Sequence, residues 1–173
     1  TVTRLANDHF RVTAAEPNLT WFEDSSYRMQ VTIRDISQEL AALAVQGPAA
    51  RRILEQVLSG FDLSALKYYR IAQGQIDGIP LVISRTGYTG DLGYELLVKP
   101  EYAAVLWDAV MAAGEPFGAQ AAGILALDIA RVEAGLIMLQ VDYISARKAH
   151  VPAQKSSPFE IGMGWAVELD KPA

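Results

Sequence analysis

The chain has no cysteine and only two histidines, His9 and His150, in 173 residues. Those shortages remove disulfide scaffolds, thiol nucleophiles, iron–sulfur clusters and the Cys/His arrangements that hold zinc. No metal is expected, and neither histidine has a partner in sequence that would make it catalytic, so each reads as structural or exposed. Positive charge is short too: 15 Lys and Arg against 20 Asp and Glu leave a formal net charge of −5. Nucleic acid and anionic membrane both require a basic field, so neither is an expected partner. Asp128, Arg131 and Glu133 interrupt the most apolar stretch before it reaches the ~20 residues of a membrane span. The opening residues, Thr1-Val2-Thr3-Arg4-Leu5, carry no initiator Met, basic n-region or apolar h-region. The expectation is a cytoplasmic chain that is a fragment of something longer.

What the sequence does have is the composition of a folded domain, with 51% hydrophobic and 20% charged residues. A chain this long buries roughly 70% of its unfolded surface, so one core is expected, without linker, low-complexity tract or repeat. Residues 1–5 and 9–13 read as a hairpin around Asn7-Asp8, and Met29, Val31 and Ile33 alternate with polar residues as a half-buried strand. Residues 40–45 form an apolar run that feeds an amphipathic helix carrying Ala50, Ile53, Leu54, Val57 and Leu58, with Pro48 at its first position and Gly60 as its cap. Residues 67–76 and 79–85 flank Asp77-Gly78 as a type I′ hairpin. A glycine-rich connector over 86–93 leads to a strand over 94–99, then to a helix on Tyr102, Val105, Leu106, Ala109 and Val110 behind Pro100. Residues 121–136 predict a helix buried on more than one side, with Asp128 and Arg131 one turn apart. Residues 165–169 read as a final strand. Locally paired strands with few helices point to an α+β fold of antiparallel sheets, with ferredoxin-like halves.

The least ordinary stretch is Ser84-Arg85-Thr86-Gly87-Tyr88-Thr89-Gly90-Asp91-Leu92-Gly93-Tyr94-Glu95. Glycine at every third position lets the backbone turn sharply and lets a flat ligand approach. It lacks the Gly-Lys-Ser/Thr of a nucleotide loop and precedes a strand, where a dinucleotide fingerprint opens a helix. Glu95 falls on the strand face of Leu97, opposite Tyr94 and Leu96. Its carboxylate suits two parallel N–H donors such as an aminopyrimidinone edge presents; the same residue also reads as a strand-end glutamate in solvent. Tyr143, Arg147, Lys148 and Lys155 make a basic, partly aromatic segment, suited to a carboxylate-rich ligand or simply solvated. Asp142 suits either orienting a tyrosine or capping a turn.

Residues 85–96 resemble the signature of the aminomethyltransferase family, typified by the glycine cleavage T-protein. Three further matches stand in order: Leu43-Ala44-Val45-Gln46-Gly47-Pro48, Asp128 with Arg131-Val132-Glu133-Ala134-Gly135-Leu136, and Gly162-Met163-Gly164-Trp165. The resemblance spans essentially residues 1–173. It implies a folate-binding domain of aminomethyltransferase type, without the N-terminal segment and C-terminal barrel of such proteins. It further implies tetrahydrofolate as cofactor, a small-molecule methylated amine or ether as donor, and a flavin domain or carrier protein as partner in a longer system. Glu95 would hold the pterin, with Tyr88 and Trp165 lining the pocket and Tyr143 and Arg147 near the donor or the glutamate tail. Two positions depart from the family. Asn18 stands where T-proteins place a catalytic aspartate, with Glu16 or Glu23 as substitutes, and Leu127 replaces an arginine before Asp128. An amide cannot supply the negative charge that stabilises a cationic centre. A folate-binding module without transfer, or the folate domain of a flavin-dependent demethylating oxidoreductase, are the competing readings.

Overall fold

The computed structural model describes residues 1–14 and 18–170. The expected hairpin is present as β1 (Val2–Arg4) and β2 (Phe10–Val12), with Thr3 opposite Arg11. The Thr1 ammonium closes it on the Thr13 carbonyl at 2.7 Å. A short helix, α1 (Leu19–Ser25), follows. The alternation around Met29, Val31 and Ile33 makes no strand: positions 31–36 have no regular structure, and Met29 and Val31 are exposed. An alternating pattern becomes a strand only where a neighbouring edge and an apolar layer receive it, and this segment is given neither.

The organising element is a five-stranded sheet of β3 (Ala41–Gln46), β4 (Leu58–Ser59), β5 (Ile71–Ile76), β6 (Ile79–Ser84) and β7 (Gly93–Val98). Its order is β3-β7-β6-β5-β4, every neighbouring pair antiparallel. Asp77 and Gly78 both take positive φ, 50° and 78°, the geometry of a type I′ turn. Along β7 the period of two buries Tyr94, Leu96 and Val98 and turns Glu95 and Leu97 to the other face.

Two helices, α2 (Ala50–Val57) and α3 (Ala103–Gly114), cover the first of those faces. Ala50, Ile53 and Leu54 of α2 and Leu106 and Val110 of α3 recur at helical spacing and join Leu81, Ile83 and Leu96 in one core. Tyr94, fully buried, gains a partner for its hydroxyl from Arg51 Nε at 3.1 Å. The helix α2 ends earlier than its apolar pattern suggested. Leu58 and Ser59 turn extended to pair with Ile76 and Gln75, so Gly60 closes that short strand instead of capping the helix, and Pro48 precedes the helix.

The last part of the chain departs most from expectation. The helix α4 (Ile124–Glu133) buries only Arg131, while Ile124, Leu125, Ile129 and Val132 are mostly exposed. Its apolar composition predicted a helix packed on several sides, but among the described residues no layer covers that surface. The expected strand at 165–169 is instead a 3₁₀ turn, Gly164–Ala166, because the Ala166 and Val167 N–H groups bond back to Met163 and Gly164. The result is an α+β arrangement of antiparallel sheets. No helix among the described residues is long and apolar enough to cross a membrane.

Candidate functional site

Glu95 lies on the sheet face that α2 and α3 leave open, with Ala44 beside it on β3 and Ser84 beside it on β6. Ala44 is small and exposed, so nothing bulky overhangs the carboxylate from that side. The Thr86 hydroxyl donates to Glu95 Oε2, and Thr86 Oγ1 lies 2.6 Å from Ser84 Oγ. Both hydroxyl residues are only 8% exposed. An ionised carboxylate has about four acceptor positions, and this relay fixes its orientation while using one of them. Arg11, on β2, comes within electrostatic reach of Glu95. Burial lowers the pKa of its guanidinium, and the Glu95 charge works against that drop.

The glycine-rich loop is held from beneath by Gln46, the last residue of β3. Gln46 Nε2 is 3.3 Å from the carbonyls of Thr86 and Tyr94, and its Oε1 accepts from the Thr89 hydroxyl at 3.2 Å. A Cβ on Gly87 or Gly93 would collide with that amide, and one on Gly90, at φ +80°, with the Ala134 methyl. The glycines were expected to make room for a flat ligand. They make room for Gln46 and α4, and so seat the loop against the protein itself.

The other end of the loop reaches a polar cluster. Tyr88 donates its hydroxyl to the Ile137 carbonyl. Arg131, 3% exposed, bonds Asp128 at 2.8 Å, the Leu136 carbonyl at 3.2 Å and the Asp142 carboxylate, which also accepts from Met138 N at 2.7 Å. Burial opposes the Arg131 charge, and the two carboxylates more than compensate, so its pKa is raised. Burial also raises the Tyr88 phenol, with Arg131 opposing and Tyr143 and Asp142 adding to the rise. Tyr143 and Asp142 thus act on Tyr88 through charge alone, and the Asp142 carboxylate itself is bonded to Arg131 and the Met138 N–H. Asp128 and Arg131 are more than a helix-face pair, since Arg131 ties α4 to the segment after it.

Asn18 and Arg147, 129 positions apart, meet: Arg147 Nη1 donates to Asn18 Oδ1 at 3.1 Å. With Trp21 and Ala146 they line an open hollow of about 340 Å³. Glu23 is exposed on α1, and Glu16 lies outside the described residues. Lys148, Lys155, His9 and His150 are exposed, and Leu127 is half-buried. Trp165 is 79% exposed on its 3₁₀ turn, so its ring is not enclosed in a pocket with Glu95 and Tyr88. Gln46, Ser84, Thr86 and Arg11 were not foreseen as site residues. Only the alternation that sets Ser84 and Glu95 on one face could have flagged them.

The profile of the GCVT N-terminal domain matches residues 1–171. An aminomethyltransferase of Halothermothrix orenii is 38% identical over 90% of this chain and 41% of its own length. One of Shouchella clausii is 44% identical over 83% of this chain and 37% of its own. A trimethylamine-oxide aldolase of Ruegeria pomeroyi is 35% identical over 98% of this chain and 22% of its own. The chain thus spans about two fifths of the length of the two aminomethyltransferases and about a fifth of the aldolase. A heterotetrameric sarcosine oxidase from Corynebacterium sp. U-96, in complex with pyrrole 2-carboxylate, shares the fold, with TM-score 0.50 and 18% identity over 61% of this chain and 53% of that one. The strand that carries Glu95, the glycine loop seated on Gln46 and the Arg131 anchor behind it are thus features of a chain that belongs to the GCVT N-terminal domain family.

Proposed function

We propose that this chain binds tetrahydrofolate at Glu95 and works within a one-carbon transferase that takes a methyl or methylene group from a methylated amine or ether. The observation that carries the reading is the Glu95 carboxylate, oriented by the buried Thr86–Ser84 relay on the open face of the sheet. A carboxylate fixed in that way accepts the paired N–H donors of a pterin edge. When bound, tetrahydrofolate supplies the acceptor for the one-carbon unit. The chain's residues hold and orient it, and rate enhancement comes from alignment of donor and acceptor. Relatives named for aminomethyl transfer and for trimethylamine-oxide cleavage support a nitrogen-bound donor.

A second reading, folate binding without transfer, is favoured by Asn18. Its amide is hydrogen-bonded to Arg147 and cannot contribute a carboxylate charge at the position where the family places one.

The test is calorimetric titration of tetrahydrofolate into the full-length protein and its Glu95→Gln variant. The variant should lose about 1.5–3 kcal/mol, the worth of hydrogen bonds to a charged group. A parent protein that does not bind tetrahydrofolate ends the proposal. Binding without turnover of any methylated amine or ether selects the second reading.

A further inference from the structure

Where the sequence pattern runs a strand from position 67, Lys67, Tyr68, Tyr69 and Arg70 form a four-residue turn, closed by the Arg70 N–H on the Lys67 carbonyl at 3.1 Å. Tyr69, third in that turn, takes φ +57°, a left-handed conformation in which glycine or asparagine normally stands. For a bulky side chain it is an outlier, and such a residue persists only where its surroundings hold it. Here Arg85 is the clamp. Its carbonyl accepts from the Tyr69 N–H at 3.1 Å, its own N–H bonds the Arg70 carbonyl at 3.0 Å, and its Nη1 bonds the Leu66 carbonyl at 3.0 Å. The strain does not serve the core, because Tyr68 and Tyr69 are 61% and 59% exposed, their ring centroids 4.2 Å apart and tilted by 52°. A strained, clamped turn that presents two adjoining rings to solvent is built for something outside the fold.

Charge and position state what that is. Residues 63–76 contain no acid although the chain carries a net charge of −5. Lys67 and Arg70 flank the rings, both exposed and in no ion pair among the described residues, with Arg70 Nη1 on the Tyr69 carbonyl at 3.3 Å. Two rings between two cations suit a flat aromatic group that carries carboxylates. Ile71, next to the turn, pairs with Ser84, and Ser84 pairs with Glu95. The turn therefore stands at the Glu95 end of the sheet, two strands across, roughly 10 Å at the usual strand spacing. Arg85, which clamps it, adjoins the Thr86 that bonds Glu95. We propose that the Tyr68–Tyr69 turn is a second subsite, receiving the carboxylated aminobenzoyl portion of the tetrahydrofolate whose pterin edge Glu95 holds. The proposal rests on the tetrahydrofolate reading. Tyr68 and Tyr69 stack against the aminobenzoyl ring, and Lys67 and Arg70 meet the glutamate carboxylates.

The experiment compares tetrahydrofolate with 6-methyltetrahydropterin, which has the same ring edge and no tail. Affinities of both are measured for the full-length protein, for Tyr69→Asn, for Lys67→Gln combined with Arg70→Gln, and for Glu95→Gln, with thermal melting of each. Tyr69→Asn should weaken tetrahydrofolate about tenfold, the scale of a lost ring stack, and leave 6-methyltetrahydropterin within about twofold. It should melt no lower than the parent, because asparagine takes the left-handed conformation readily. The Lys67 and Arg70 double variant should show the same selective loss, whereas Glu95→Gln should weaken both ligands. If Glu95→Gln weakens both while the turn variants keep the full advantage of tetrahydrofolate over 6-methyltetrahydropterin, the turn is no subsite and the folate reading survives. If the turn variants weaken both ligands equally, the turn only supports Glu95 and the proposal falls. A parent that binds neither ligand overturns the folate reading and this proposal together.

Discussion

Between Ala50 and Val110 the chain buries Leu54, Ile83, Tyr94 and Leu96 completely. Among the described residues of 1–33 and 121–170, side chains of the same apolar character, such as Trp21, Leu125, Ile129 and Trp165, are mostly exposed, and the buried group is a charge, Arg131. The central layer holds itself together by removing apolar surface from water. The flanks rely on polar ties: Tyr88 to Ile137 joins layer to flank, Asn18 to Arg147 joins the two flanks, and Arg131 to Asp128 and Asp142 lies within one of them. The candidate site lies on the seam, with Glu95 and Thr86 belonging to the central layer and Tyr88, on the glycine loop between them, tied to the flank at Ile137. A carboxylate on a well-packed strand is preorganised, whereas its surrounding groups can be adjusted by a few hydrogen bonds.

The difference between the two regions can be broken most directly in the core. Leu54→Ala should cost about 2–5 kcal/mol of global stability, since it opens a cavity under the sheet. Leu125→Ser should stay within about 0.5 kcal/mol, as expected of exposed sites. Urea denaturation of both variants checks the pair, and an equal loss at Leu125 would mean that α4 is packed after all.

Arg131→Met should act locally. The Leu136 N–H bonds to the Arg131 carbonyl, and Met138 N to the Asp142 carboxylate that Arg131 holds. Removing the guanidinium leaves Asp142 without its cation, so amide exchange over residues 136–143 should accelerate at least about tenfold while β5, β6 and β7 keep their protection. Uniform loss of protection across the sheet would show that the cluster supports the core as well.

A smaller effect tests the contact that joins the two regions. Gln46→Ala removes hydrogen bonds to Thr86, Tyr94 and Thr89, for an expected loss of about 1–3 kcal/mol. Gly87→Ala should also destabilise, because the new methyl meets the Gln46 amide. The double variant should cost less than the two single losses added together, as the methyl then enters vacated space. Strict additivity in denaturation midpoints would show that Gln46 and Gly87 do not compete for that space.

How far the sequence disclosed this arrangement follows the same division. The type I′ turn at Asp77-Gly78, the alternation of β7 and the apolar face of α2 were legible because local pattern and tertiary burial agree there. The strand at 165–169 and the half-buried strand around Val31 were misread, since periodicity reports which face would be buried but not whether anything lies against it. At the site, the strand position of Glu95 and its face, shared with Leu97, were legible from its place after the glycine loop. Thr86 and Ser84 were not, because a buried hydroxyl relay has no sequence signature beyond shared strand parity, and Gln46 acts on glycines some 40 positions away. Asn18 and Arg147, singled out separately, meet through a contact that no spacing could announce.

The smallest expected effect, and the one most specific to the seam, depends on pH. Burial holds the Tyr88 phenol above the ordinary tyrosine value of 10.0, although Arg131 pulls the other way. A group that keeps its proton more tightly folded than unfolded lends stability that is complete below the unfolded pKa and is lost as pH rises through the folded one. The loss therefore begins near pH 10, where the unfolded chain starts to release the proton that the native chain retains. Tyr88→Phe removes both the hydrogen bond to Ile137 and this titration, so the parent should exceed it by about 0.5–1.5 kcal/mol near neutrality, with the margin narrowing above about pH 10. Tyr69, whose phenol is also raised, is common to both proteins and cancels from the difference. Denaturation of both proteins at pH 8 and above pH 10 measures that margin. A margin that stays constant across the range would place the Tyr88 hydroxyl in water, and the loop would then lose its tie to the segment carrying Asp142 and Tyr143.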